Sequence, residues 1–273
     1  MKKIIIYILL IIGICFIIPI FFTKKFKIKE VFSREEPLEI LDIEKYMYTD
    51  FQTIKLLHNL SNEVEEVNLD EYIAEVVSAE IPVDYDIEAI KAQSVAARSY
   101  TIYRIIHGSK HENADICDDA SCCQAWISKT DRIAKWGEDG IGKWNKIVEA
   151  VNLSIGEVVT YEGQIIDAFF HSNSGGKTET AANVWGGDYP YLQSVETSGE
   201  DEYSQYSSEV TLTKEELLNK LKEKYSDIEI NFENEEDIQI IEYTESGRVS
   251  KVKFGNHEIA RRGSKIYFRV KIY

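Results

Sequence analysis

The chain has 273 residues, enough for one large domain or two small ones. Hydrophobic residues make up 44% and charged residues 29%, which predicts a packed core and excludes wholesale disorder, and four cysteines are too few for a disulfide-rich scaffold. Residues 1–30 hold six of the 31 Lys and Arg residues and one of the 47 Asp and Glu residues, so the remainder carries a net charge of −21 and is a poor match for nucleic acid.

The first predicted element is a membrane anchor. The stretch Ile4–Phe22 has 19 residues without a charge and follows Lys2 and Lys3, which is long enough for one helix to cross a hydrocarbon core. No small-x-small cleavage site follows it, so residues 1–23 are interpreted as a signal anchor with the body outside the cytoplasm; a cleaved signal peptide is the alternative. Residues 24–65 are mixed and charged and are predicted to form an extracytoplasmic tether with some helical character.

Regular patterning begins near Asn68 and changes period along the chain. Apolar residues recur at helical spacing in the first half, and alternation with a period of two appears later, which predicts an α+β fold with a helical N-terminal part packed on antiparallel hairpins. The predicted helices are Leu69–Glu80, a helix capped by Asp86 and reaching Ile106, Lys143–Ser154 and Lys214–Tyr225. The predicted hairpins pair Glu157–Tyr161 with Gln164–His171 and Ile238–Tyr243 with Arg248–Phe254.

Glu80 is the strongest candidate for a catalytic residue. It shares the apolar stripe of Ile73, Val76 and Val77 and lies at the negative end of its predicted helix. Desolvation and the helix dipole both disfavour a charged carboxylate there, so we expect the side chain to keep a proton near neutral pH, as a general acid requires. The alternative is a helix-end glutamate paired with Lys or Arg.

Three polar residues of the following predicted helix form a candidate substrate-binding set. Lys91 and Arg98 are seven positions apart and share a face, with Gln93 nearby. The two cations could receive a carboxylate ligand or pair with Asp86 and Glu88. A solvated helix face is the third interpretation.

A cluster of thiols and imidazoles is the second strong signal. His111, Cys117, Cys122 and Cys123 could supply four tetrahedral ligands to a structural zinc ion, with His107 as a substitute. A metalloprotease motif is excluded because residue 108, beside the first His, is Gly and not Glu. A disulfide from Cys117 to Cys122 or Cys123 is the competing interpretation.

A Ser/Gly-rich loop, Ser172–Thr178, follows the predicted strand Gln164–His171. It ends like a phosphate-binding loop, but residue 171 is His where that motif requires Gly, so nucleotide binding is excluded. Such a loop can instead present backbone amides and hydroxyl groups to a polar ligand, although an ordinary turn is equally compatible. Aromatic rings nearby could stack on sugar faces or belong to the core. The candidate residues of this region are Ser174, Gly175, Gly176, Thr178, Trp185 and Tyr191.

The motifs taken together resemble a known family. The stretch Ser78-Ala-Glu80-Ile-Pro82 and the later Glu88–Tyr100 are similar to the core motif of the stage II sporulation protein D family, which includes amidase enhancers. The similarity continues in the same order and covers about residues 65–255. Its further blocks are Asp115-Ile-Cys117, Cys123-Gln-Ala125, Phe170–Thr178 and Trp185–Leu192.

This resemblance implies a peptidoglycan lytic transglycosylase that cleaves peptide-stripped glycan strands during engulfment of the forespore. It implies a catalytic domain over residues 66–273, with Glu80 as the catalytic glutamate, no cofactor needed for the chemistry, and zinc held by the His and Cys set. The implied location is the space between the mother-cell and forespore membranes, and the implied partners are glycan strands, a peptide-removing amidase and a membrane protein. A non-catalytic wall-binding or amidase-activating module and a zinc hydrolase are the rival functions.

Overall fold

The computed structural model describes residues 50–187, 189–203 and 209–260, and these have the predicted α+β fold. The predicted anchor, residues 1–23, and residues 24–49 of the predicted tether lie outside the described residues. In the described part, no helix is both long enough and apolar enough to span a bilayer. The chain divides into two compact units, the first ending at Val158 and the second beginning at Val159.

Within residues 50–158, the first unit combines a small sheet with four helices. Strand β1 pairs with β2 in an antiparallel hairpin and with β3 in parallel, giving the order β2-β1-β3. Helices α1, α2 and α4 pack against one another, and α3 packs on α4. The elements are β1 (Thr53–His58), β2 (Glu63–Asn68), α1 (Leu69–Glu80), α2 (Ile87–His107), β3 (Ile116–Cys117), α3 (Lys129–Trp136) and α4 (Gly140–Leu153).

Helix α1 has the predicted bounds because both ends are specified locally. The side chain of Asn68 accepts hydrogen bonds from the backbone N–H groups of Asp70 and Glu71, which satisfies two of the free donors of the first turn. At the other end Ile81 is extended, as expected for a residue that precedes proline. The predicted apolar stripe is buried and forms the core of this unit with Ile90, Ile102, Trp144, Ile147 and Val148.

The bounds of helix α2 likewise follow the sequence expectation. Asp86 caps it by accepting from the N–H of Glu88, and the helix ends at Gly108, whose φ of 107° is a conformation that glycine adopts at little cost. Small residues Ser94 and Ala97 are fully buried on its inner face, so the backbones of neighbouring helices approach closely.

The described residues of the second unit form short hairpins and two helices. The strands β6, β7 and β8 form an antiparallel sheet in that order, and the β6–β7 hairpin confirms the prediction. The elements are β4 (Thr160–Tyr161), β5 (Gln164–Ile165), α5 (Ala181–Trp185), α6 (Lys214–Lys222), β6 (Ile238–Tyr243), β7 (Val249–Phe254) and β8 (His257–Ala260).

Two expectations from the sequence are wrong. The hairpin β1–β2 occupies part of the predicted tether, where we expected helical character; Ile54 and Leu56 alternate into the core, but charged neighbours conceal that alternation in the sequence. The hairpin β4–β5 is only two residue pairs long, and residues 166–171 are not in a strand. A strand persists only where it has a hydrogen-bonding partner, and periodicity does not supply one.

Candidate functional site

Glu80 lies at the C-terminal end of α1 with its side chain half-buried. Its Oε1 atom accepts a hydrogen bond of 2.6 Å from the backbone N–H of Ala125, and Oε2 makes no hydrogen bond to any described residue. The predicted alternative, a pair with Lys or Arg, is absent among the described residues. One oxygen is therefore anchored and the other is available to a ligand.

Glu75, one and a half turns earlier on α1, is a second half-buried carboxyl group that the sequence analysis missed. Its Oε1 accepts from the backbone N–H of Lys129 at 2.9 Å and its Oε2 from the indole Nε1 of Trp126 at 2.8 Å. Burial raises the pKa of Glu75 despite these two bonds, and the nearby negative charges add to the effect. Its proximity to Glu80 in sequence was the only available signal.

The side chains of His111, Cys117, Cys122 and Cys123 converge, with one ligand atom from each lying within 4.8 Å of the other three. The Nε2 atom of His111 is 3.5 Å from Sγ of Cys123 and 3.8 Å from Sγ of Cys122, and the last two sulfurs are 3.9 Å apart. The N–H groups of Cys122 and Cys123 both bond to the carbonyl of Asp119, so a tight turn brings the two thiols to Cys117 on β3.

These separations match a tetrahedral metal site. Zn–S distances of about 2.3 Å and Zn–N distances of about 2.0–2.1 Å imply S–S edges of about 3.8 Å and N–S edges of about 3.5 Å. Burial raises the pKa of the Cys117 thiol and raises that of the Cys123 thiol to about 12. A cation between the four ligand atoms would offset that cost, because a metal-bound thiol is deprotonated.

In the described part of the chain, the structure contains neither the disulfide nor the His107 ligand that the sequence analysis considered for this cluster. The three described cysteines are free thiols, so neither predicted disulfide is present among them. His107, the predicted substitute ligand, stacks on Tyr103 with ring centroids 4.1 Å apart and is not part of the cluster.

Arg98 is not placed where a substrate could reach it. Its guanidinium group is fully buried, and both Nε and Nη2 donate to Oδ1 of Asp70, at 3.0 and 2.9 Å. Its Nη1 donates to the carbonyls of Ser154 and Glu157 at the end of α4, at 2.8 and 3.2 Å. Arg98 therefore links α1, α2 and the segment after α4, which is a structural arrangement and does not support the predicted role in ligand binding.

Lys91 and Gln93, the other members of that set, are half-buried. The Nζ atom of Lys91 lies 2.9 and 3.1 Å from the two carboxylate oxygens of Glu88, which is one of the pairings considered from the sequence. The side-chain nitrogen of Gln93 is buried and has no hydrogen-bond partner among the described residues.

The Ser/Gly loop of the second unit does present backbone amides to a carboxylate, but that carboxylate belongs to the same chain. Glu200 accepts from the N–H groups of Ser174 and Gly176, at 2.8 and 2.7 Å, and from the hydroxyls of Ser174 and Thr197, both at 2.8 Å. Desolvation alone would raise the pKa of Glu200, but these hydrogen bonds lower it to about 2.

The carbonyl groups of the same loop are also satisfied. The Nη2 atom of Arg248 donates to the carbonyls of Ser174 and Lys177, both at 2.6 Å. The hydroxyl of Thr178 donates to the carbonyl of Gln193 at 3.0 Å. Glu200 thus accepts hydrogen bonds from the donor groups of the loop, and Arg248 donates to its carbonyl groups. Together they stabilise this conformation of a glycine-rich segment.

Aromatic rings of the second unit are partly exposed. Trp185 and Phe169 are 56% and 44% exposed, and their rings contact at a tilt of 33° with centroids 4.6 Å apart. The ring centroid of Tyr191 lies 5.7 Å from that of Tyr161 and 5.8 Å from that of Tyr189. Phe169 and Tyr161 extend the predicted pair Trp185 and Tyr191, and only the fold brings them into contact.

The first unit therefore holds Glu80 and a His/Cys cluster, and part of it matches a known family. Residues 58–161 match the family model SpoIID, described as stage II sporulation protein. Over these residues the chain thus matches the stage II sporulation protein D family, as its motifs indicated.

Two curated relatives are similar to this chain. The chain is 33% identical to stage II sporulation protein D of Bacillus subtilis over 171 residues, which are 62% of this chain and 50% of that protein. It is 31% identical to the amidase enhancer of the same organism over 118 residues, 43% of this chain and 14% of that protein. The chain spans about half the length of the first relative.

Proposed function

We propose that this chain is a wall-cleaving enzyme of sporulation, a lytic transglycosylase that cuts peptide-stripped glycan strands and leaves 1,6-anhydromuramic ends. The observation that carries the proposal is the placement of Glu80: a half-buried carboxyl group with one oxygen anchored by a peptide N–H and the other without a partner in the described chain. The family match and the relative named as an amidase enhancer support a role at the cell wall.

A single carboxyl group is sufficient for this reaction. Glu80 protonates the glycosidic oxygen as the bond from that oxygen to the anomeric carbon breaks. The muramic 6-hydroxyl then attacks the anomeric carbon and returns its proton to Glu80, so the acid is regenerated without water. Ordinary glycosidases require a second carboxyl group as base or nucleophile. Glu75 is a poor candidate for that role, because both its oxygens accept hydrogen bonds from the protein.

Substrate contacts are proposed for four polar or aromatic residues that are at least partly exposed as whole residues. Lys91 could exchange Glu88 for a lactyl carboxylate of the stripped strand, and Gln93 has a side-chain nitrogen that makes no hydrogen bond in the described chain. Trp185 and Tyr191 are proposed as platforms for sugar rings. The loop amides of Ser174 and Gly176 are assigned to Glu200 instead.

We further propose that the His/Cys cluster binds zinc as a structural ion. Four protein ligands fill a tetrahedral site and leave no position for a water molecule, which disfavours a zinc hydrolase. The Cys123→Ser variant should lose most of its bound zinc, measured by elemental mass spectrometry, and melt at a lower temperature. A zinc content equal to that of the native protein would contradict the assignment.

The implied setting remains a proposal as well. The enzyme would be held at the cell membrane with its catalytic domain in the space between the mother-cell and forespore membranes. It would act after a peptide-removing amidase and alongside a membrane protein of the engulfment machinery.

The decisive experiment compares native protein with Glu80→Gln on purified peptide-stripped glycan, with products identified by mass spectrometry. The amide keeps the shape of the side chain but cannot donate an acidic proton, so release of anhydro products should fall by about 10²–10⁴-fold. Glu71→Gln, an exposed change on the same helix, is the matched control and should leave the rate unchanged.

A non-catalytic amidase-activating module is the second candidate, favoured by the amidase-enhancer relative. It predicts no anhydro product from either protein and the same stimulation of an amidase by native and Glu80→Gln protein.

A further inference from the structure

A short segment after the His/Cys cluster lies against the side chains of two glutamates on α1. We call residues 123–129 the strap. Its Ala125 N–H bonds to Glu80, while its Trp126 indole and Lys129 N–H bond to the two oxygens of Glu75. The strap and α1 are thus joined by three hydrogen bonds, and all three acceptors are carboxylate oxygens.

The peptide group of Ala125 is fixed on both sides. Gln124 is 2% exposed, and its side-chain amide donates to the hydroxyls of Thr101 and Tyr72, at 3.1 and 3.4 Å. On the other side, the indole Nε1 of Trp126 donates a hydrogen bond of 2.8 Å to Oε2 of Glu75. An N–H group between two such anchors has little freedom to turn away from Glu80.

From this arrangement we propose that the Ala125 peptide N–H is the positioning group of the catalytic glutamate: it selects Oε2 of Glu80 as the oxygen that donates and recovers the proton. A peptide N–H can only donate, and the better acceptor in a neutral carboxyl group is its carbonyl oxygen. With Oε1 in that role, the hydroxyl proton resides on Oε2. The same bond then stabilises the anion that proton transfer leaves behind, because hydrogen bonds to charged acceptors are the stronger ones.

The strap also gives the His/Cys cluster a connection to the reaction. Cys123 is both a member of that cluster and the first residue of the strap, two positions before Ala125. Order in the cluster therefore determines where the Ala125 N–H points. The role of Oε2 in proton transfer rests on the proposed function of Glu80. The position of the Glu80 carboxyl group rests only on its hydrogen bond from the Ala125 N–H.

The test replaces one backbone N–H group by an oxygen atom and keeps every side chain. Incorporation of lactic acid in place of Ala125, by nonsense suppression, converts the peptide bond to an ester with the same side chain. We expect kcat on stripped glycan to fall about 10–100-fold, as for the loss of a hydrogen bond to a charged group. KM should stay within twofold, and the alkaline limb of the pH–rate profile should move to higher pH because the anion loses its donor.

A matched control is the corresponding ester at Leu60, an exposed turn position where neither the N–H that is lost nor the preceding carbonyl of Asn59 makes a hydrogen bond in the described part of the chain. That variant should have native kcat and zinc content. If the Ala125 ester has the native kcat and pH profile while Glu80→Gln is inactive, the positioning role is refuted and the proposed function stands.

A measurement independent of activity judges the geometry. Amide hydrogen exchange at Ala125 should be at least about tenfold faster in Glu80→Ala than in native protein, and close to native in Glu80→Gln, which keeps an acceptor. Exchange at Lys129, whose N–H bonds to Glu75, should not change in either variant. Unchanged exchange at Ala125 in Glu80→Ala would overturn the inference. This result is independent of the activity of Glu80→Gln, which tests the proposed function.

Discussion

Replacing Arg98 by Met should destabilise the protein and should not act through substrate binding. Met retains most of the aliphatic volume but removes the guanidinium group from a fully buried site. Asp70, itself 2% exposed, then loses both donors from Arg98, and the carbonyls of Ser154 and Glu157 lose theirs.

The size of the effect follows from that geometry. Removing one partner of a buried ion pair costs about 3–5 kcal/mol, because the remaining buried charge loses the opposite charge that faced it. Against a typical free energy of unfolding of about 5–15 kcal/mol, this is a large fraction. For a protein of this size it corresponds to a fall in melting temperature of roughly 6–20 °C.

The assay is urea unfolding followed by tryptophan fluorescence, with Trp144 reporting from the core of the same unit. Arg98→Met, Asp70→Leu and the double variant should form a cycle in which the double variant is less destabilised than the sum of the single ones. A change below about 1 kcal/mol in Arg98→Met, combined with loss of glycan binding, would refute the structural role and restore the ligand-binding one.

Three further outcomes are expected. Gly140→Ala should lower the melting temperature by several degrees, since an added Cβ would lie 2.3 Å from the carbonyl oxygen of Ile133. Gly163→Asn should cost less, because the position is open and asparagine tolerates its φ of 79° better than most residues do. Because the pKa of Glu200 is lowered to about 2, its stabilising contribution is present above the ordinary glutamate range near pH 4.5 and is lost as the pH falls towards 2; acid-unfolding curves of Glu200→Gln should lack that component. Glu200→Gln should also speed hydrogen exchange at Gly176, and unchanged exchange there would contradict the assignment.

The elements predicted correctly are those whose signals are local. Asn68 and Pro82 mark the ends of α1, and the stripe of Ile73, Val76 and Val77 sets its buried face, all within fourteen or so positions. The same reasoning located Glu80 at the end of that face. The His/Cys cluster was also predictable, because its four members lie within 13 positions of one another in the sequence.

Partner choice was not predictable from the sequence. Arg98 and Lys91 look alike as cations on one helix, yet Arg98 is buried against Asp70 and Lys91 pairs with its neighbour Glu88. Which face of α2 is covered depends on where α1 and α4 pack, and no local pattern contains that information.

By itself, then, the amino-acid order determined the bounds of α1, the acid at its end and the members of the His/Cys cluster. Only the tertiary structure decided that Ala125, 45 positions further along, supplies the N–H for Glu80, and that Glu200 fills the Ser/Gly loop. The physical reason is the difference in sequence separation between the two kinds of interaction. Capping and periodicity act over a few residues, whereas a hydrogen bond between distant segments exists only after the chain has packed.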